Sequence, residues 1–263
     1  MSIVRNFYAA FRMVFFDITR SSAAITATFY IRIYYFLKIR RRLRTAESDD
    51  AFAMTIPHNM RSLYKRPRRM LALIKPLSAL EQVAKTSRIL VIGPRNEWDI
   101  LLLYQHGFKI SMSTGLDLIS YSPWISVGDM HSLPFEDCQF DVVLCGWTIS
   151  YSADPNRACT EIARVCKATG IIGIGVEYSD ADEDGIRLST GGYLIQDSRL
   201  KERVNSVSAI LELFPNHGAV VHANDAPLRK SLPRDSSPSN CVVLFERCAR
   251  HPQPVAPHNR ANK

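Results

Sequence analysis

The run Arg88-Ile89-Leu90-Val91-Ile92-Gly93, with Pro94-Arg95-Asn96-Glu97 directly after it, is the most informative stretch of the chain. Four apolar residues end in a glycine, a short turn follows, and a helix-like pattern begins near residue 97. This succession is typical of the first strand, loop and helix of an α/β domain with a parallel sheet. The sequence before residue 88 differs in kind, because it is basic and aromatic.

Segments with strand and helix patterns alternate from residue 88 to residue 248. The predicted strands cover 88–93, the residues up to Leu116-Asp117, 125–128, 141–145, 171–176, 219–222 and 241–246. The predicted helices cover about 97–106, 155–167 and 198–213, and an acidic loop covers 179–192. This alternation predicts an α/β fold, namely a Rossmann-like doubly wound sheet with helices on both faces.

The net charge of +8 is distributed unevenly along the chain. Residues 1–70 contain 14 Lys and Arg against 4 Asp and Glu, which gives +10, and the remaining residues contain 19 against 21, which gives −2. The α/β body therefore lacks the basic surface that nucleic acid binding requires, and we do not expect the body to bind a nucleic acid.

Residues 1–50 are predicted to form a basic, aromatic N-terminal helical arm. Apolar residues recur at helical spacing over 3–18, and residues 23–39 are more apolar and are followed by a basic cluster. Arg20 and Arg32 interrupt this region, so it lacks the roughly 20 apolar residues of a membrane-spanning helix. Two interpretations remain: a helix that lies on an anionic membrane surface, or an arm that packs on the body or on a second subunit.

The other predicted boundaries follow from changes in the pattern. Residues 51–87 form a helical lead-in, residues 88–248 form the α/β domain, and residues 249–263 are predicted as a disordered tail. The six cysteines include no C-x-x-C pair and no histidine at zinc spacing. We therefore expect no metal site, and reduced thiols in a cytoplasmic protein.

Two acidic residues stand where a parallel sheet binds its ligand, beyond the carboxyl ends of the strands. Asp117 closes the second strand and can accept hydrogen bonds from both hydroxyls of a ribose, although it could instead cap the next turn. Asp129 closes the third strand and can bind the exocyclic amine of adenine, with Met130 packed on the ring. The other residues at strand ends are Gly93, Pro94, Arg95, Asn96, Cys145, Trp147 and Glu177.

Four segments of this region are similar to the motifs of one enzyme family. They are Gly115-Leu116-Asp117-Leu118, Gly128-Asp129-Met130-His131-Ser132-Leu133-Pro134-Phe135, Phe140-Asp141-Val142-Val143 and Glu161-Ile162-Ala163-Arg164-Val165-Cys166-Lys167-Ala168-Thr169-Gly170. Together they resemble the class I S-adenosylmethionine-dependent methyltransferases, in particular the methyltransferase-11-like group that modifies small molecules. The resemblance implies that residues 88–248 are a methyltransferase domain, that S-adenosylmethionine is the cofactor, and that the last two strands form an antiparallel pair.

The first motif departs from that family's pattern. The family usually has an acid followed by Gly-x-Gly-x-Gly, whereas here only Gly93 remains in the loop. Arg95 can pair with the carboxylate of the cofactor, or it can form a surface salt bridge. The cofactor-binding residues implied by the resemblance are Gly93, Pro94, Arg95, Asn96, Asp117, Asp129, Met130, Cys145 and Trp147.

The resemblance does not single out one catalytic residue. Transfer of a methyl group from a sulfonium depends mainly on alignment with the acceptor, and a base is needed only if the acceptor is protonated. His131, Tyr151 and Glu177 are the candidates for such a base. Trp147 and Tyr151 can form an aromatic wall over the sulfonium or the substrate. Cys145 lacks the preceding proline of cytosine-modifying relatives, which favours a place in the core.

The sequence thus predicts a methyltransferase that acts on a small-molecule or lipid-like acceptor, either cytoplasmic or associated with a membrane surface. One alternative is a non-catalytic relative in which Arg95 or Trp98 fills the cofactor position, and the loss of glycines favours it. The other alternative is an RNA methyltransferase that uses the basic arm to hold phosphates.

Overall fold

The computed structural model describes residues 15, 17–46, 55–178, 204–225 and 239–248. Most of the helix predicted over 3–18, the loop over 179–192 and the tail from residue 249 lie outside these residues. The described part of the chain forms a seven-stranded sheet with helices on both faces and a small two-stranded sheet.

The large sheet has the predicted topology. In chain order the strands are β1 (Arg44–Thr45), β2 (Ile89–Ile92), β3 (Ser113–Asp117), β4 (Ile119–Ser120), β5 (Ile125–Val127), β6 (Phe140–Gly146), β7 (Cys166–Tyr178), β8 (His217–Asn224) and β9 (Ser239–Arg247). The order in the large sheet is β5-β3-β2-β6-β7-β9-β8, and β1 pairs with β4 in the small one. The first five strands of that order are parallel, and β9 is antiparallel to both β7 and β8. The prediction of a mostly parallel sheet with a C-terminal antiparallel pair is confirmed.

β2 occupies the centre of the sheet, between β3 and β6. None of its four residues is more than 1% exposed. Burial on both faces explains why its sequence is a continuous apolar run rather than an alternating one. Because the three strands are parallel, the turn at Gly93 and the ends of β3 and β6 meet at the same edge of the sheet.

Two helices differ from their predicted bounds. The helices are α1 (Ser22–Tyr34), which continues as a π-helix over Tyr35–Ile39, α2 (Thr55–Arg61), α3 (Leu71–Ala79), α4 (Trp98–Gln105), α5 (Pro155–Val165) and α6 (Val207–Glu212). The helix predicted over 155–167 ends at Val165 because Cys166 has an extended backbone and begins β7, five residues before the predicted strand. The last helix begins, among residues 204–225, only at Val207, because Ser206 caps it by accepting a hydrogen bond from the Ala209 amide.

The inner face of α1 packs on the α/β body. Ile25, Phe29 and Ile33 are each no more than 2% exposed and belong to the same core cluster as Trp98. The rings of Phe29 and Trp98 meet edge to face, with centroids 5.6 Å apart. Each buried side chain of this size contributes about 1.5–3 kcal/mol, so α1 is an integral part of the fold. None of the helices described here is long and apolar enough to cross a membrane.

A buried ion pair fixes α1 to the start of α4. Arg32 donates from Nε and from one terminal nitrogen to the two carboxylate oxygens of Glu97, each over 2.7 Å. Glu97 has no exposed surface and also accepts a hydrogen bond of 2.5 Å from the Ser122 hydroxyl. The guanidinium lies 3.5 Å from the centroid of the Trp124 ring. Arg32, which interrupts the apolar region in the sequence, therefore points inward to a specific partner.

Candidate functional site

The turn after β2 requires a glycine at position 93. Gly93 has a φ of 71°, and a Cβ added to it would lie 2.0 Å from the Thr148 hydroxyl oxygen. Its amide donates to the Leu116 carbonyl over 2.8 Å, and the Thr148 hydroxyl donates to the Gly146 carbonyl over 3.2 Å. The turn is therefore held against the ends of both β3 and β6.

Arg95 and Asn96 replace the missing glycines in different ways. Arg95 adopts a left-handed φ of 56°, and its amide donates to Asp117 Oδ2 over 2.9 Å. The Asn96 side chain, in contrast, turns into the protein. Its Nδ2 donates to the carbonyls of Leu63 and Lys65 over 2.8 and 2.9 Å, and its Oδ1 accepts from the Trp98 amide. Asn96 is only 2% exposed, so the structure corrects its predicted role: its side chain holds the turn and the start of α4 instead of facing a ligand.

Asp117 stands at the end of β3 as predicted, but protein groups surround its carboxylate. Besides the Arg95 amide, it accepts hydrogen bonds at Oδ1 from Asn59 Nδ2 over 3.1 Å and from the Ile119 amide over 3.2 Å. Asp117 is 5% exposed, and burial raises its pKa while the two amides oppose that rise. Asn59 Oδ1 in turn accepts from Arg95 Nε over 3.3 Å. Asn59 belongs to α2 and carries no sequence motif that could have identified it.

Arg69 and Asp99 complete a cluster of charged groups around this point. Burial raises the pKa of Asp99 to about 7, while the positive charges of Arg69 and Arg95 act in the opposite direction. Burial also lowers the pKa of Arg95, with Arg69 adding to the effect and Asp117 opposing it. Two guanidinium groups thus lie near two carboxyl groups at the N-terminus of α4. The only sequence signal was the place of Asp99 in the first turn of a predicted helix.

His131 holds Asp129 in place and links it to Ser152. Its Nδ1 lies 2.7 Å from Asp129 Oδ1, and its Nε2 lies 2.7 Å from the Ser152 hydroxyl. Because a carboxylate only accepts, Nδ1 donates to Asp129, and a second hydrogen bond joins Nε2 to the Ser152 hydroxyl. Burial disfavours the charge on Asp129, but its hydrogen bonds to His131 outweigh this and hold its pKa below the usual value. Met130 packs against the core on the α5 side of the sheet.

Cys145 and Trp147 have different roles at the end of β6. The Cys145 thiol is fully buried in the core, and burial raises its pKa to about 12, which disfavours it as a nucleophile. Trp147 is 3% exposed, has a φ of 59°, and donates from its indole nitrogen to Asn240 Oδ1 over 3.0 Å. The Arg69 guanidinium lies 5.2 Å from the centroid of that ring. Trp147 is therefore a rigid wall beside the charged cluster.

The remaining sequence candidates lie at the rim of the site or outside it. Tyr151 ends a 3₁₀ turn, Ile149–Tyr151, and acts electrostatically on Arg95. Pro94 packs against β3, since a Cβ on Gly115 would lie 2.9 Å from its Cγ. Glu177 lies in β7 with its backbone paired to Asn240, and its side chain is outside the description. Trp98 is in the core below α1, so it does not fill the edge of the sheet.

The motif residues on α5 and β6 are structural. Arg164 donates to both carboxylate oxygens of Glu161 over 2.7 and 2.8 Å, and also reaches Asp137. Glu161 and Arg164 therefore form an ion pair one helical turn apart on α5. Asp141 accepts from the Arg88 amide and from Lys167, which ties the start of β2 to the strands beside it.

Part of the chain matches a known protein family. The family described as a methyltransferase domain matches residues 113–174, which include β3, β5, β6 and α5. No curated protein matches the chain.

Solved structures of methyltransferases are similar to this chain. The complex between the Haloferax volcanii Trm112 methyltransferase activator and a candidate methyltransferase matches with a TM-score of 0.53 and 18% identity, over 77% of this chain and 98% of that one. An S-adenosylmethionine-dependent methyltransferase of Thermotoga maritima matches with a TM-score of 0.43 and 16% identity, over 75% and 99%. A geranyl diphosphate methyltransferase in complex with S-adenosylmethionine matches with a TM-score of 0.47 and 14% identity, over 67% and 84%. The match with a TM-score of 0.53 indicates the fold and not the substrate.

Residues 113–174 are thus similar to a methyltransferase domain, for which S-adenosylmethionine is the expected cofactor. The side chains at this edge of the sheet have hydrogen-bonding groups of the types that this cofactor requires. Asp117 and Asp129 provide acceptors at neighbouring strand ends, and Asn59 Nδ2 donates to Asp117 as a ribose hydroxyl would. The fit has one condition, which is that Asn59 leaves Asp117.

Proposed function

We propose that this methyltransferase modifies a small-molecule or lipid-like acceptor and binds S-adenosylmethionine at the edge formed by the Gly93 turn and the ends of β3 and β5. The placement of Asp117 and Asp129 at adjacent strand ends is the observation that supports this most directly. The cofactor supplies a methyl group already activated by a sulfonium, so the contribution of the protein is alignment and exclusion of water.

Each part of the cofactor has a partner of suitable chemistry in this proposal. Asp117 accepts hydrogen bonds from the ribose hydroxyls, and Asp129, oriented by His131, accepts from the adenine amine. Arg95 and Arg69 bind the carboxylate of the methionine part, which two guanidinium groups near one another favour. Trp147 forms a wall beside them.

No general base is assigned among the residues whose side chains are described. The Cys145 thiol is protonated at neutral pH because burial raises its pKa to about 12. His131, Tyr151 and Glu177 stay candidates. This favours an acceptor that brings a free lone pair, for which alignment suffices.

Calorimetry with S-adenosylmethionine and with S-adenosylhomocysteine tests the proposal. We expect both to bind the folded chain, and we expect Asp117→Asn to weaken binding roughly 10- to 100-fold, because hydrogen bonds to a charged acceptor are worth about 1.5–3 kcal/mol each. Glu136→Gln, the same change at an exposed position outside the site, is the control. If neither compound binds the folded wild-type chain, the proposed cofactor site is wrong and the non-catalytic alternative is favoured.

A further inference from the structure

The face of α1 opposite its buried side is unusually apolar. Ile31 is 67% exposed, Tyr34 61% and Ile39 60%, and Tyr30 and Tyr35 are 43% and 42% exposed. These five residues, all on α1 or its π-helical extension, define the outer arm surface. Single exposed apolar residues are common on proteins, but a contiguous group on one helix face marks an interaction site.

The outer arm surface is bordered by positive charge alone. Residues 18–46 contain no Asp or Glu. The exposed basic residues at the C-terminal end of the helix are Lys38, Arg40, Arg41, Arg42 and Arg44. A second segment adds to the same edge, because the Arg66 guanidinium lies 5.0 Å from the centroid of the Tyr30 ring and donates to the Thr26 hydroxyl over 2.8 Å.

We propose that the outer arm surface docks on an anionic lipid bilayer, with α1 lying in the plane of the interface. Isoleucine side chains enter the acyl boundary, tyrosines suit the headgroup level, and arginine and lysine pair with anionic headgroups. The helix does not need to rearrange, because Ile25, Phe29 and Ile33 stay buried in the body while the opposite face meets the lipid. The ion pair of Arg32 with Glu97 holds that face at a fixed orientation.

The composition of the surface favours lipid over the other possible occupants. Ile31 and Ile39 lie within it, and aliphatic side chains neither bind phosphates nor stack on RNA bases as aromatic side chains do. A second copy of the chain would place one basic border against another, and like charges at an interface are unfavourable. An anionic bilayer satisfies both the apolar centre and the basic border.

Vesicle sedimentation with the full chain tests this inference independently of cofactor binding. We expect binding to phosphatidylcholine vesicles that contain phosphatidylserine and little binding to phosphatidylcholine alone. Arg40→Gln with Arg42→Gln should reduce partitioning about 25-fold, from roughly fivefold per charge at an anionic surface. Lys75→Gln with Lys109→Gln removes two exposed charges elsewhere and should change it far less.

A second variant pair tests the apolar part of the surface. Ile31→Ser with Ile39→Ser should reduce partitioning roughly tenfold or more, since a serine does not enter the acyl boundary. Met112→Ser with Val220→Ser changes two exposed apolar residues elsewhere and is the control. Thermal melting shows that each variant is folded.

Three results would overturn the inference. The first is absence of binding to anionic vesicles at low salt. The second is self-association in sedimentation velocity that the isoleucine variant abolishes, in place of vesicle binding. The third is salt-dependent RNA binding that only the arginine variant loses.

Discussion

Replacement of Arg32 by methionine should strongly destabilise the protein. The substitution keeps much of the aliphatic stem of the side chain but removes both hydrogen bonds to Glu97, which has no exposed surface. Removal of one partner from a buried ion pair costs about 3–5 kcal/mol, since the other charge stays buried without compensation. Arg32 keeps 24% of its side chain exposed and Glu97 retains the Ser122 hydroxyl, so we expect the lower end, about 3 kcal/mol.

Urea denaturation at constant m-value measures this loss. Arg66→Met is the matched control, because Arg66 makes one hydrogen bond from an exposed position on the same helix contact and should cost no more than about 1 kcal/mol. The double variant Arg32→Met with Glu97→Gln should recover most of the loss, since it leaves no unpaired buried charge. If the free energy of unfolding of Arg32→Met lies within about 1 kcal/mol of the wild-type value, the ion pair does not hold the arm to the body.

Three further changes test the site itself. Asp99→Asn should remove a pH dependence of stability, because burial raises the folded-state pKa of Asp99 to about 7 and the wild type therefore loses stability as pH rises from about 4 through 7. The melting temperature of the variant should exceed that of the wild type by a margin that grows over this pH range. A margin that stays constant with pH would contradict the raised pKa of Asp99. Gly93→Ala should lower the free energy of unfolding, measured in urea, by about 2–4 kcal/mol, because the added Cβ would clash with Thr148 and residue 93 has a positive φ. Adding Thr148→Gly to this variant should restore part of the loss. An unchanged free energy of unfolding would show that the turn rearranges freely. Asn59→Ala should tighten S-adenosylmethionine binding about tenfold in calorimetry, because it removes a side chain that competes for Asp117. Asn156→Ala is the control and should leave the affinity unchanged. Weaker binding by Asn59→Ala would show instead that Asn59 binds the cofactor.

The sheet could be predicted from the sequence because its signals are local. The apolar run before Gly93 indicates a buried parallel strand, and Asp117 indicates the end of β3. Each signal lies within a few residues of sequence. Helix ends were less accurate where one residue decides: Cys166 follows a helical heptad in the sequence, but its backbone is extended and belongs to β7.

The parts of the site that sequence reasoning missed depend on contacts between distant segments. Asn59 reaches Asp117 across 58 positions, and Arg32 reaches Glu97 across 65. Periodicity describes one segment at a time and gives no partner for a lone asparagine or arginine. For the same reason Asn96 was assigned to the ligand, although its amide binds the carbonyls of Leu63 and Lys65.

The attachment of α1 to α4 also has a consequence for the order of synthesis. The arm leaves the ribosome before α4, because Glu97 and Trp98, which pair with Arg32 and Phe29, follow more than 60 positions later. During that interval both faces of α1 are exposed, the inner one with Ile25 and Ile33 as well as the outer one. We therefore expect the nascent arm to bind chaperones until α4 has emerged, and a chain that began at residue 88 to leave Glu97 without its arginine.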